Sequence, residues 1–399
     1  MTSTEAVLVA VTASLLVGCS EAPGPTSPDL GSATPWLQGP RILVDGVDAT
    51  TTDCRTGICK HNENTDLVAW RGHLWLVHRT AESQVLGPNS ALLVYRSDDN
   101  GATFTQAARL PAPAPGTPLG GDKGRDIRDP HFFIVNDQLR IKALARLPVN
   151  SLRDSFVDTA TLVTTSDDGF TFTPFVEVAP HAWSFWRIRR GPDGAWYSAA
   201  YADGDLSVSL FSSSDGERWQ QGASIYAVSA DTPLETELTF LSSGRLLALV
   251  RMDGTNDELL GVKGRLRTRV CWSMPPYSSF DCPQTLDGAR LDGPLSLPWH
   301  GRLLHIGRKH DVDGQRDGRK RTALFELGGN LEGGPLTLRE WGVLPSAGDT
   351  AYAGIASLDG EHFTVSWYSG DLEDDDSWLF GVVLATNIWV AQFDPSRLP

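Results

Sequence analysis

Past residue 40 the chain alternates short apolar runs with polar turns. The runs are rich in Val, Leu, Phe and Trp, they are broken by Gly, Asp and Asn, and no 3.6-residue apolar period stands out. This pattern predicts an all-β protein. One unit recurs: a strand, a tight turn and a second strand. It reads DLVAWRGHLWLVHR at 66–79, DPHFFIVNDQLRIKALAR at 129–146 and SFWRIRRGPDGAWYSAAY at 184–201. It returns as ETELTFLSSGRLLALVR at 235–251, GPLSLPWHGRLLHIGR at 293–308 and AYAGIASLDGEHFTVSWY at 351–368. The turns centre near Gly72, Asn136, Gly194, Gly244, Gly301 and Gly360, roughly 50–64 residues apart. A strand-built repeat of that length predicts a six-bladed β-propeller, one four-stranded blade per repeat, over residues 41–399. In such a ring the first hairpin strand starts, and the second ends, near the central channel on one face. Glu235 and Arg251, far apart along the fourth hairpin, are therefore expected at the same end of it.

A second element repeats. Ser97 to Phe104 (SDDNGATF) fits S-x-D-x-G-x-T-aromatic, Thr165 to Phe172 (TSDDGFTF) fits again with Thr first, and Ser212 to Trp219 (SSSDGERW) is a decayed copy. An Asp side chain capping backbone N–H groups, with Gly at positive φ, explains why such a turn recurs. The turn resembles the Asp-box of sialidase-type propellers. With the six hairpins and RTAESQVLGPNSALLVYRSDDNGATF at 79–104, the chain resembles the sialidase superfamily over about residues 60–395. The strings ETELTFL…GRLLALVR and GDTAYAG…VSWYSG also look like those of bacterial sialidase-like proteins.

The resemblance implies a tyrosine nucleophile activated by a glutamate, an aspartate acid/base and three arginines on a substrate carboxylate. Glu235 and Arg251 match the spacing of glutamate and second arginine, Arg308 stands where the third arginine belongs, and Tyr352 matches the nucleophile. Such a pair attacks an anomeric carbon without the repulsion a carboxylate would feel from an anionic sugar, and arginine gives bidentate recognition of a carboxylate. Two places depart from the family. Its first arginine is replaced by HNENTD at 61–66, and its acid/base aspartate falls near Gln84, with Glu82 the nearest carboxylate.

The channel mouth is expected to collect Glu63, Asp66, Asp129, Glu235 and Glu237 with Arg128, Arg251 and Arg308, and Trp183, Trp186, Tyr352 and Tyr368 are aromatics for sugar stacking. Plainer readings stand beside these. Glu235 follows Pro233 in a loop, Asp129 caps a turn before Pro130, Tyr352 is a core aromatic, and Glu63 and Asp66 share a hydrogen-bonded turn with Asn and Thr. His78, His131 and His305 read as structural histidines. No metal ligands are assigned and no cofactor is expected. Asp311 to Gly314 and Asp371 to Asp376 hint at calcium without a full ligand loop.

The N-terminus adds a location. Ala6 to Val17 is apolar but too short to span a membrane, and Leu16-Val17-Gly18-Cys19 resembles a bacterial lipoprotein signal. Residues 1–19 are expected to be the signal, with Cys19 lipidated, and the Ser/Pro/Gly-rich residues 20–40 a flexible tether. The remaining four cysteines are even in number, and their spacings favour Cys54–Cys59 and Cys271–Cys282 disulfides in an exported protein. The net charge of −15 excludes nucleic acid as a partner. The sequence thus points to a monomeric, exported glycoside hydrolase of the bacterial cell envelope acting on a terminal acidic sugar, with Glu235, Tyr352 and Asp129 catalytic. The alternative is a non-catalytic surface propeller that binds glycan or protein.

Overall fold

The computed structural model describes residues 34–84, 89–146, 159–202, 206–227, 232–253, 267–287, 290–310, 319–374 and 377–399. The expected signal with Cys19, and Asp311 to Gly314, lie outside the described residues. All six hairpins form: β2 (His61–Trp70) with β3 (His73–Ala81), β6 (Asp126–Val135) with β7 (Gln138–Arg146), β10 (Trp183–Arg190) with β11 (Trp196–Ala202), β14 (Pro233–Phe240) with β15 (Leu246–Met252), β18 (Asp292–Trp299) with β19 (Arg302–His310), and β22 (Thr350–Ser357) with β23 (Phe363–Gly370).

The sheets differ from the expected six separate blades. Four four-stranded blades stand alone. They are β6-β7-β8-β9, with β8 (Thr159–Ser166) and β9 (Val176–Glu177); β10-β11-β12-β13, with β12 (Ser207–Ser213) and β13 (Gln220–Ala227); β14-β15-β16-β17, with β16 (Arg267–Ser273) and β17 (Asp281–Asp287); and β18-β19-β20-β21, with β20 (Lys320–Gly329) and β21 (Leu336–Val343). The first and last hairpins instead share one eight-stranded sheet, β22-β23-β24-β2-β3-β4-β5, built with β4 (Ala91–Ser97), β5 (Thr105–Pro111) and β24 (Thr386–Phe393). Its eighth strand, β1 (Leu37–Val44), pairs antiparallel with β24. The joint between its halves is a single parallel pair, His61 opposite Thr386. The six-blade count is corrected accordingly: chain ends meet in one continuous sheet, and a repeat count cannot foresee that. The boundary also moves. Strand begins at Leu37, inside the expected tether, because Trp36 and Leu37 bury against Phe363 and Phe393.

Burial explains why the strands read as they do. β23 is buried along its whole length and β3 at all but its first residue, because each inner strand is covered on both faces. The outermost β13 and β21 are largely exposed and read polar. Cores lie between neighbouring sheets. Leu67, Leu76, Leu93, Tyr95, Tyr352, Tyr368 and Ile388 pack between the halves of the eight-stranded sheet. The Ser-x-Asp turns repeat one pattern at Asp99, Asp168, Asp215 and Asp359: a Ser hydroxyl donates to the carboxylate, which accepts backbone N–H groups just downstream. Both disulfides, Cys54–Cys59 and Cys271–Cys282, are formed, which fits an exported protein. Among the described residues no helix is long and apolar enough to cross a membrane.

Candidate functional site

Every hairpin breaks its ladder once, in its first strand. Register shifts fall between Glu63 and Asp66, Arg128 and His131, Phe185 and Ile188, Pro233 and Thr236, Asp292 and Leu295, and Ala351 and Gly354. A bulge bends the strand and turns its side chains out of strict alternation. Several bulge residues are left-handed: Asn64 (φ 55°), Asp129 (φ 49°), Gly293 (φ 59°), Ala351 (φ 114°) and Tyr352 (φ 47°). Asn, Asp and Gly take such φ readily. For alanine and tyrosine it is costly, and strain held in place by its surroundings clusters at functional positions.

The bulges gather side chains from the fourth, fifth and sixth hairpins. Tyr352 donates its phenolic hydrogen to Glu235 Oε1. Glu235 Oε2 accepts from Arg251 Nη1 at 2.8 Å and from the Gly293 N–H at 2.8 Å. Arg251 Nη1 also lies 3.4 Å from the Tyr352 oxygen. Gly293 is needed for this approach, since a Cβ there would stand 2.8 Å from the Tyr352 ring. Glu235, Tyr352 and Arg251 are 5%, 8% and 9% exposed. Burial first, and the Glu235 charge next, push the Tyr352 phenol well above its usual range. The hydroxyl therefore stays protonated until a base takes its hydrogen, and Glu235 is already hydrogen-bonded to it.

Arg308 lies over the Tyr352 ring, 5.4 Å from its centroid. It donates to Asp349 Oδ1 at 3.0 Å, to the Tyr368 oxygen at 2.8 Å and to the Thr350 carbonyl at 2.7 Å. Arg251 meets Asp253 at 2.7 Å and Asp292 at 3.2 Å. Asp292, fully buried, also accepts from Arg290 at 2.8 and 2.9 Å and faces His310 at 2.9 Å and Arg308 at 3.7 Å. Burial opposes the charge on Asp292, but Arg251 and Arg290 outweigh it and hold the carboxylate ionised. The two arginines expected to receive a substrate carboxylate thus already face Asp253, Asp292 and Asp349. Sequence reasoning missed these partners and Arg290, although Asp349 lies in the GDTAYAG string three residues before Tyr352.

The first and second hairpins bring another group. Arg79, fully buried, joins Glu63 at 2.5 Å and Asp126 at 2.8 Å, and Arg128 joins Asp126 at 2.5 Å. Burial first pushes the Glu63 carboxyl up to about 7, outweighing Arg79 and Arg128. Asp129 is 6% exposed. Its carbonyl accepts from Lys142 Nζ at 3.0 Å, while among the described residues no donor binds its carboxylate. It is close enough to raise the Tyr352 and Glu63 pKa values.

Three expected substrate contacts lie elsewhere. Asp66 pairs with Arg187 at 2.5 Å and accepts the Phe132 N–H at 2.8 Å. Glu237 is held by Arg189 and by the Ser296 N–H at 3.2 Å. Both carboxylates are buried and paired apart from Glu235, because the bulge separates Glu235 from the face Glu237 takes. Trp186 is fully buried, edge-on to Tyr352 at 5.5 Å, with its indole N–H on the Pro294 carbonyl. It props the Tyr352 ring and has no face for a sugar, which corrects the expected stacking role. Tyr368 is equally buried.

Neither a family model nor a curated protein matches the sequence. Solved structures do. A Dyadobacter fermentans protein of unknown function is 15% identical, with 89% of this chain and 99% of that one covered and a TM-score of 0.61. The NanB sialidase from Streptococcus pneumoniae is 12% identical, covering 90% of this chain and 71% of that one at a TM-score of 0.61. Trypanosoma rangeli sialidase is 14% identical, covering 90% of this chain and 60% of that one at a TM-score of 0.60. At such identity the likeness is one of architecture: the chain is an all-β propeller with a sialidase-like fold.

Proposed function

We propose that the protein is a retaining glycoside hydrolase in which Tyr352 is the nucleophile and Glu235 its base. The observation that carries this is the Tyr352–Glu235 hydrogen bond, with Arg251 and Gly293 fixing the other carboxylate oxygen. As the Tyr352 oxygen bonds to the anomeric carbon, its proton passes to Glu235. The glycosidic bond breaks, and the leaving oxygen takes a proton from Asp129. Water then attacks the tyrosyl-linked carbon, giving a proton to Asp129, while Glu235 returns its proton to the departing tyrosine. Asp129 suits this part because its carboxylate has no donor among the described residues and lies within electrostatic reach of Tyr352.

The substrate reading departs from the acidic sugar expected from sequence. Arg251 and Arg308 are matched by Asp253, Asp292 and Asp349, so a substrate carboxylate would have to displace buried ion pairs. A neutral terminal sugar meets no such cost. Export by lipidation at Cys19 completes the proposal, supported by the apolar 6–17 segment and the two disulfides. A panel of neutral aryl glycosides and aryl uronides tests the activity. Wild type should cleave a neutral member, with Glu235→Gln slower by about 10²–10⁴-fold. Equal rates would remove Glu235 from the mechanism. Cleavage of none by wild type would favour a glycan- or protein-binding propeller.

A further inference from the structure

We infer that His61, Glu63 and Asp349 form a binding site for one divalent transition-metal ion, such as zinc, at the joint of the eight-stranded sheet. One donor atom from each lies within 4.8 Å of the others, and His61 Nδ1 is 3.9 Å from Glu63 Oε2. Ligands of a four-coordinate ion with bonds of about 2.0–2.1 Å stand roughly 3.4 Å apart. Closing onto an ion therefore asks only a modest inward shift of the side chains. One imidazole and two carboxylates make a borderline donor set that suits zinc better than calcium.

The free donors carry the argument. His61, Glu63 and Asp349 are at most 1% exposed. Glu63 Oε2 and Asp349 Oδ2 are buried without a hydrogen-bond partner, where buried polar atoms are nearly always satisfied, and the backbone of Gly381 beside the His61 ring engages one nitrogen and leaves the other for the ion. The other oxygen of each carboxylate is firmly held: Glu63 Oε1 by Arg79 at 2.5 Å, and Asp349 Oδ1 by Arg308 at 3.0 Å, Tyr368 at 3.0 Å and Trp378 at 3.1 Å. Outer partners of this kind orient metal ligands and leave one oxygen for the ion.

The position gives the ion a task. β2 supplies His61 and Glu63, and Asp349 immediately precedes β22, so the ion would tie together the two halves of a sheet joined by the single His61–Thr386 pair. Gly381 packs directly on Asp349, where a Cβ would come within 2.3 Å of the Asp349 nitrogen. A cavity of about 140 Å³ lined by Gly348, Gly381, Asp371 and Asp374 lies beside this corner of the sheet.

The test uses the full chain and does not depend on its activity. Protein purified without chelator is assayed for metal by mass spectrometry, stripped with EDTA, and titrated with zinc chloride and manganese chloride by calorimetry and thermal melting. The expected result is about one equivalent of bound metal, a Tm that falls with EDTA and returns with zinc, and binding weakened at least tenfold in His61→Gln and Asp349→Asn. Wild type that binds neither ion and melts unchanged overturns the site, whatever becomes of the variants. Equal zinc binding by folded variants overturns the ligand assignment.

Discussion

The Tyr352 hydroxyl and the Glu235 carboxylate, 117 residues apart in sequence, share one buried hydrogen bond. The bond exists because two bulges on different hairpins turn these side chains toward each other. Tyr352→Phe keeps the ring on Trp186 and removes only the oxygen. Its kcat should fall by at least 10²-fold. Glu235 Oε1 also loses its donor in a buried place, which costs about 1–3 kcal/mol. Kinetics on a cleaved aryl glycoside and urea denaturation measure both.

Asp292 sets the charge of the site by facing Arg251, Arg290 and Arg308 together. Asp292→Asn should therefore release positive charge toward the substrate. The ratio of kcat/KM for a uronide over its neutral counterpart should rise about tenfold or more, a change of roughly 1.4 kcal/mol in discrimination. An unchanged ratio would mean that these ion pairs do not decide the substrate class.

The fully buried Arg79 joins Glu63 and Asp126. Arg79→Met strands Glu63 and leaves Asp126 with Arg128 alone, and should cost about 3–5 kcal/mol by chemical denaturation. Arg71 makes an equally short ion pair with Asp137, 2.6 Å, but its side chain is 45% exposed. Arg71→Met should leave stability unchanged within error.

His78 is buried, with Nδ1 facing the Arg79 carbonyl at 2.9 Å. Burial lowers its pKa from 6.5 to about 4. Between those values the unfolded chain binds the proton that the folded chain refuses, so stability is complete above pH 6.5 and falls as pH drops toward 4. Wild type should lose about 2 kcal/mol more than His78→Gln between pH 7 and pH 5. A parallel pH dependence in the two proteins would contradict this.

The hairpins were legible because each joins two apolar runs through a turn that needs Gly or Asn, as at Asn136 and Gly301, both at positive φ. The Glu235–Arg251 contact was legible for the same reason: a hairpin returns the sixteenth residue to its start. The eight-stranded sheet was not, because the pairing of His61 with Thr386 joins opposite ends of the chain and leaves no local pattern. Neither was the burial of Trp186, since SFWRIRR reads alike whether its aromatics face a sugar or a neighbouring sheet. The partners Asp292 and Asp349 escaped notice because Asp292 is the first residue of β18 and Asp349 stands just before β22, where strand alternation assigns no face.

The most direct test of the mechanism is covalent trapping. Wild type is incubated with 2-deoxy-2-fluoro glycosyl fluorides of the neutral sugars it cleaves, then digested and mapped by mass spectrometry. The account predicts one glycosyl adduct, on Tyr352, that is absent from Tyr352→Phe. Turnover with an adduct on another residue, or with inverted product and no adduct, would contradict it.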